Sequence, residues 1–163
     1  MIERPIHTVL LVDDNPDDCD LVSEAWEEVP LGTELRCLSD GSDLLNYLYR
    51  KPPYHTPDSS PRPSVILLDL NMPRLSGGEA ISEIRKHPPF SGIPIVILST
   101  SKAPKDICQT ASMGVNGYIQ KPDSYAGYLQ MLTNLRQHWR EILERPFSQH
   151  GPGNWSGRVA WCS

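Results

Sequence analysis

Four stretches of this sequence end in side chains that can do chemistry. TVLLVDD ends in Asp13 and Asp14. VILLDLN carries Asp69, with Asn71 two residues further on. VILST ends in Ser99 and Thr100, and GYIQK ends in Lys121. Each follows an apolar run, so each stands where a buried strand gives out. Brought together they make three carboxylates, a hydroxyl and an ammonium. Two like charges ~4 Å apart repel by about 4 kcal/mol at the effective dielectric of a protein surface. Three converging acids therefore call for a cation among them. A hard divalent ion with oxygen ligands fits, and Mg²⁺ takes one or two carboxylates together with a phosphoryl oxygen. The lysine adds a compact positive charge suited to phosphate. Read alone, Asp13 and Asp14 are as well explained as solvated turn residues. Five such residues at four separate strand ends argue against coincidence.

The elements that must position them follow from periodicity. Thr8–Val12 is a short apolar run closed by acids, a buried strand. Asn15-Pro16 then supplies an N-cap and a proline at the first helical position. Cys19, Val22, Trp26 and Val29 continue at spacings of three and four, a helical stripe. Glu34–Leu38 reads as a weaker strand and Ser42–Arg50 as a short helix with Leu44, Leu45 and Leu48 inward. Lys51–Pro63 carries five of the sixteen prolines and reads as an exposed loop. Val65–Leu68 is apolar throughout, as parallel strands buried on both faces are. Gly78–His87 is a helix, Ile95–Leu98 a buried strand, Pro104–Met113 a helix closed by Gly114, and Gly117–Ile119 a short strand. Tyr125–Glu144 is a long helix with Tyr128, Leu132, Leu135, Trp139 and Ile142 on one stripe. Strands alternating with helices predict an α/β fold with right-handed crossovers. The expected architecture is a flavodoxin-like three-layer sandwich, a five-stranded parallel sheet of order 2-1-3-4-5 with five helices. In such sheets ligands bind beyond the carboxyl ends of the strands, near the point where strand order reverses. All the residues above fall there.

The chain has 163 residues, enough for one domain that buries roughly 70% of the surface its unfolded chain exposes. We read residues 1–145 as that domain and 146–163, which lack periodicity and are rich in Gly and Ser, as a flexible C-terminal tail. The net charge of −5 argues against nucleic acid and against an anionic membrane as partners. No stretch reaches the ~18 apolar residues of a membrane span, and the N-terminal apolar run is too short for a signal peptide. A cytoplasmic location is expected. Cys19, Cys37, Cys108 and Cys162 form no C-x-x-C pair and have no histidine at ligand spacing, which argues against zinc. Reduced thiols, three of them packed near the core, are expected.

The succession LLVDD, VILLDLNMP, VILSTS and GYIQKP resembles the receiver domain of bacterial response regulators, from about Thr8 to Glu144. The resemblance implies that Asp69 accepts a phosphoryl group from a sensor histidine kinase or a phosphotransfer protein. It implies that Asp14 ligates Mg²⁺ directly and Asp13 largely through water, with Asp69 and the backbone carbonyl of Asn71 completing the protein ligands. Lys121 would pair with the phosphoryl group, and the Lys121–Pro122 bond would be cis. Ser99 aligns with the switch hydroxyl and Tyr118 with the switch aromatic. Their bland readings are a turn cap and a fixed core ring. Ser76-Gly77 departs from the family, which often has an acid before the glycine, but only a turn is affected. The Pro-rich insertion PPYHTPDSSPRPSVILLDLNMP, the segment KHPPFSGIPIVILSTS and the Trp139 helix resemble stand-alone receivers that partner phytochrome-type kinases.

The resemblance also implies a signalling phosphoacceptor rather than an enzyme acting on other molecules, with slow self-dephosphorylation. Phosphorylation would draw Ser99 inward and let Tyr118 turn. That would bias a face built from the fourth helix (Pro104–Met113), the fifth strand and the last helix, through which family members often form homodimers. The stretch after Glu144 carries no DNA-binding motif, so the signal is expected to leave by protein contact or onward phosphotransfer. A binding module that never handles phosphate would show a broken acidic set, which is intact here. A phosphatase-like hydrolase would want an acid where Asn71 stands. A flavodoxin would want a hydroxyl- and glycine-rich loop where Asp13 and Asp14 stand.

Overall fold

The computed structural model describes residues 7–29, 33–54, 61–69, 77–100, 115 and 117–144. Five strands alternate with helices: β1 (His7–Val12), α1 (Pro16–Glu28), β2 (Thr33–Leu38), α2 (Gly41–Leu48), β3 (Val65–Asp69), α3 (Gly77–Lys86), β4 (Ile95–Ser99), β5 (Gly117–Gln120) and α4 (Tyr125–Glu144). The sheet is parallel throughout with order β2-β1-β3-β4-β5, as expected. The expected helix over 104–113 and the tail 146–163 lie outside the described residues.

Local chemistry sets the boundaries. Asn15 caps α1 by accepting from the Asp17 N–H at 2.9 Å, with Pro16 at the first helical position. Asp40 caps α2 by accepting from the Asp43 N–H at 2.8 Å. β3 and β4 are buried at every position, because helices cover both faces of the sheet. On one face α1 and α4 seal Val9, Leu11, Leu67 and Leu98. On the other α2 and α3 seal Leu10, Val12, Leu68 and Ile97. Each fully buried aliphatic side chain contributes roughly 1.5–3 kcal/mol, and the two layers hold the strand ends in fixed register.

The loop before β3 is tied at its two described ends. Tyr47 donates its hydroxyl to Pro61 O at 2.7 Å, and Tyr54 donates to Asp43 Oδ1 at 2.9 Å. Tyr47 is buried while Leu45 is only half-buried, so the inward stripe of α2 runs through the tyrosine rather than Leu45. Of the thiols, Cys19 is half-buried and packs against the core as expected, whereas Cys37 is exposed, against that expectation. The reason is topological: Cys37 lies on β2, which forms an edge of the sheet. Cys108 and Cys162 lie outside the described residues. Among the described residues no helix is long and apolar enough to cross a membrane.

Candidate phosphoacceptor and metal site

The register brings the predicted residues to one end of the sheet. β1 delivers Asp13 and Asp14 one and two residues beyond Val12, and β1 pairs Val12 with Leu68, the residue before Asp69. β3 pairs Asp69 with Leu98, next to Ser99. β4 pairs Ser99 with Gln120, next to Lys121. Two backbone bonds fix the corners: Asp13 N–H donates to Leu38 O at 3.0 Å, and Lys121 N–H donates to Ser99 O at 2.7 Å.

One carboxylate oxygen from each of Asp13, Asp14 and Asp69 lies within 4.8 Å of the others. Asp13 and Asp69 are buried and Asp14 is exposed, so the cluster opens to solvent on the Asp14 side. The donor set is all oxygen and acidic, which suits a hard divalent cation. Lys121 Nζ stands against the same cluster, 2.6 Å from Asp13 Oδ2 and 3.3 Å from Asp69 Oδ2. The other oxygen of Asp13 accepts from the Asn15 N–H at 2.9 Å. Asp13 is thereby held from both sides.

The electrostatics follow from burial and pairing. Burial pushes the Asp13 carboxyl up, and this outweighs the hydrogen bonds from Lys121 and the Asn15 N–H that pull it down. For Lys121, burial alone would favour the neutral amine. Hydrogen bonds to Asp13 and Asp18 and the charge of Asp69 reverse that and hold it well above the usual lysine range. The lysine is therefore a permanent cation at neutral pH.

Sequence reasoning missed one member. Asp18, in the first turn of α1, lies 2.7 Å from Lys121 Nζ. An acid in the first turn of a helix is ordinary for the helix dipole and attracts no notice. The available signal was that α1 begins two residues after Asp14, which sets its first turn against the strand ends. Asn71 and the helix expected over 104–113 lie outside the described residues. Ser99 and Tyr118 are both 2% exposed. Tyr118 pairs with Ile97, two residues before Ser99, and packs in the layer beneath α2 and α3. One expectation fails. The Lys121–Pro122 bond is not cis, and the cis bond among the described residues joins Pro52 to Pro53. Lys121 is held instead by its backbone bond to Ser99 and its three carboxylate partners.

The comparisons agree with this geometry. Residues 9–140 match the response regulator receiver domain family. The response regulator Rcp1 of Synechocystis sp. is 33% identical over 143 residues, 88% of this chain and 95% of that protein. A structure of the Mn²⁺-bound form of response regulator Rcp1 has a TM-score of 0.72. The phosphorylated cyanobacterial phytochrome response regulator RcpA is 31% identical, with a TM-score of 0.76 over 88% of this chain and 100% of that one. A response regulator in red light signalling of R. palustris is 31% identical, with a TM-score of 0.78 over 84% of this chain and 96% of that one. Sheet order, acidic cluster, lysine and matched span together place this chain in the response regulator receiver domain family.

Proposed function

We propose that Asp69 accepts a phosphoryl group from a phosphohistidine on a sensor kinase or phosphotransfer protein, and that Ser99 and Tyr118 convert the charge change into a new surface. The observation that carries this reading is the placement of Asp69. Its side chain is 7% exposed at the carboxyl end of β3, within the acidic cluster and 3.3 Å from a permanently charged Lys121.

The P–N bond of the donor breaks as a P–O bond to an Asp69 oxygen forms, and the departing imidazole takes a proton from solvent. The protein's contribution is position and charge. Lys121 faces Asp69 already protonated and turns its donors to the new phosphoryl oxygens. Asp13, Asp14 and Asp69 would hold Mg²⁺, joined in the family pattern by the Asn71 carbonyl, and the ion would supply positive charge to offset that of the phosphoryl group. Water reaching the same phosphorus from the open Asp14 side gives slow self-dephosphorylation. Ser99, one residue past the partner of Asp69 in β4, is the hydroxyl drawn toward the phosphoryl group. Tyr118, on the neighbouring strand, takes the space released.

A phytochrome-type kinase is the favoured donor, supported by the names of RcpA and the R. palustris regulator. The favoured site of self-association is the face of β5, α4 and residues 104–113. The deciding experiment is labelling by radioactive acetyl phosphate with Mg²⁺, comparing the natural chain with Asp69→Asn. Label in the natural chain alone is expected. Equal label in both overturns the assignment. Phosphotransfer profiling against histidine kinases, phytochromes included, then tests the donor, and sedimentation with beryllofluoride and Mg²⁺ tests self-association.

A further inference from the structure

Lys121 has three N–H donors, and three carboxylates surround its nitrogen: Asp13 at 2.6 Å, Asp18 at 2.7 Å and Asp69 at 3.3 Å. Two of these belong to the cluster that suits a divalent cation. Asp18 does not. A cation bound by Asp13 and Asp69 draws on the same carboxylates that the ammonium holds. Only Asp18 remains wholly available to keep the lysine beside Asp69.

A second, independent observation points to the same place. The hydroxyl of Tyr128, on α4, is fully buried and makes no hydrogen bond. The tyrosine as a whole is 1% exposed. The charges acting on it are those of Asp18, Lys121, Asp13 and Asp69, with Asp18 foremost. Buried hydroxyls find partners in native proteins, and one left without a partner calls for an explanation. Here a donor stands idle in the field of a carboxylate whose Oδ2 is held by Lys121.

We infer that Asp18 is a positioning residue for phosphotransfer: it seats the Lys121 ammonium beside Asp69 while a cation engages the cluster, yields it to the phosphoryl oxygens, and is then received by the Tyr128 hydroxyl. The inference rests on Asp69 being the phosphoacceptor. Without Asp18, the displaced lysine has no fixed seat and reaches the phosphoryl group from a range of positions. Loss of positioning of this kind lowers rates by up to about 10²-fold.

The test uses the full chain at saturating Mg²⁺, so that changes in metal affinity do not enter. Uptake of label from acetyl phosphate is compared for the natural chain, Asp18→Ala, the isosteric Asp18→Asn, Lys121→Ala and the Asp18→Ala/Lys121→Ala pair. Asp18→Ala is expected to take up label about tenfold more slowly, and Asp18→Asn, which keeps an acceptor, less so. The double variant should be no slower than Lys121→Ala alone, because Asp18 acts only through the lysine. The ring carbon bearing the Tyr128 hydroxyl, assigned by Tyr128→Phe, should shift its NMR resonance on adding beryllofluoride and Mg²⁺, and should not shift in Asp18→Ala. Natural rates in Asp18→Ala, an equal slowing in the Lys121→Ala background, or a Tyr128 resonance that does not move each overturn the inference. A natural chain that takes up no label overturns the reading of Asp69 instead.

Discussion

Lys121 Nζ lies 2.6 Å from Asp13 Oδ2, with the two side chains 10% and 1% exposed. The ammonium thus neutralises the carboxylates that a divalent cation would claim, and the two positive groups compete. Removing the lysine leaves two buried acids short of a partner, a costly arrangement that a cation relieves. Lys121→Ala should therefore bind Mg²⁺ about tenfold more tightly, a difference of about 1.4 kcal/mol, although it loses the group proposed to meet the phosphoryl oxygens. Calorimetric titration with MgCl₂ measures this. An unchanged or weaker affinity contradicts the competition.

Asp13 carries a pH signature of its own. Burial raises its folded-state pKa above the ordinary aspartate value of 3.8. The folded protein then binds more protons than the unfolded chain between the two values, and stability falls as pH rises through that window. Asp13→Asn removes the titration. Without divalent cations, the midpoint of thermal unfolding of the natural chain should drop relative to Asp13→Asn as pH rises above about 4. Added Mg²⁺ should recover the loss in the natural chain only. Parallel profiles for the two proteins would exclude Asp13 as the source.

What the sequence revealed and what it hid follow from where each residue sits. Asp13, Asp69, Ser99 and Lys121 end apolar strands, and in a parallel sheet strand ends share one edge. Their types and positions were enough to assemble them. The N-cap at Asn15 and the order of the sheet were legible for the same local reasons. Asp18 was not, because a helical acid looks like a dipole complement until the helix is docked. Tyr128 was hidden for the opposite reason: its ring fits the apolar stripe of α4, and nothing in that stripe says that its hydroxyl faces charge. The Lys121–Pro122 bond was misread because the family pattern stood in for geometry that three ion pairs supply here.

The two described thiols should differ sharply in reactivity. The neighbouring Cys19 thiol, aided by the Ser23 hydroxyl 3.9 Å away, lowers the Cys37 thiol to about 7 against the opposing effect of burial. The same contact, together with burial, raises Cys19. Cys37 is also the exposed member of the pair. Since the thiolate is the nucleophile, Cys37 should be alkylated by iodoacetamide at pH 7 at least about tenfold faster than Cys19. Mass-spectrometric mapping after short exposures reads both rates. Preferential modification of Cys19 would reverse the assigned order of the two thiols.

The far end of α1 gives a prediction about stability that should leave the site untouched. Trp26 is 7% exposed, and its indole N–H donates to Thr33 Oγ1 at 3.0 Å and more weakly to Thr33 O at 3.4 Å. This pins the last turns of α1 to the start of β2. Trp26→Phe keeps a large apolar ring and loses that donor, so unfolding in urea should show a loss of about 1–2 kcal/mol from the hydrogen bond and the smaller ring. Asp18 and the caps of Asn15 lie at the opposite end of the helix, two turns away. Mg²⁺ affinity should therefore stay within about twofold, as distant sites behave independently. A large fall in affinity would mean that α1 transmits strain from its C-terminal end to the acidic cluster, and that the first turn is not anchored by its own cap and by Lys121.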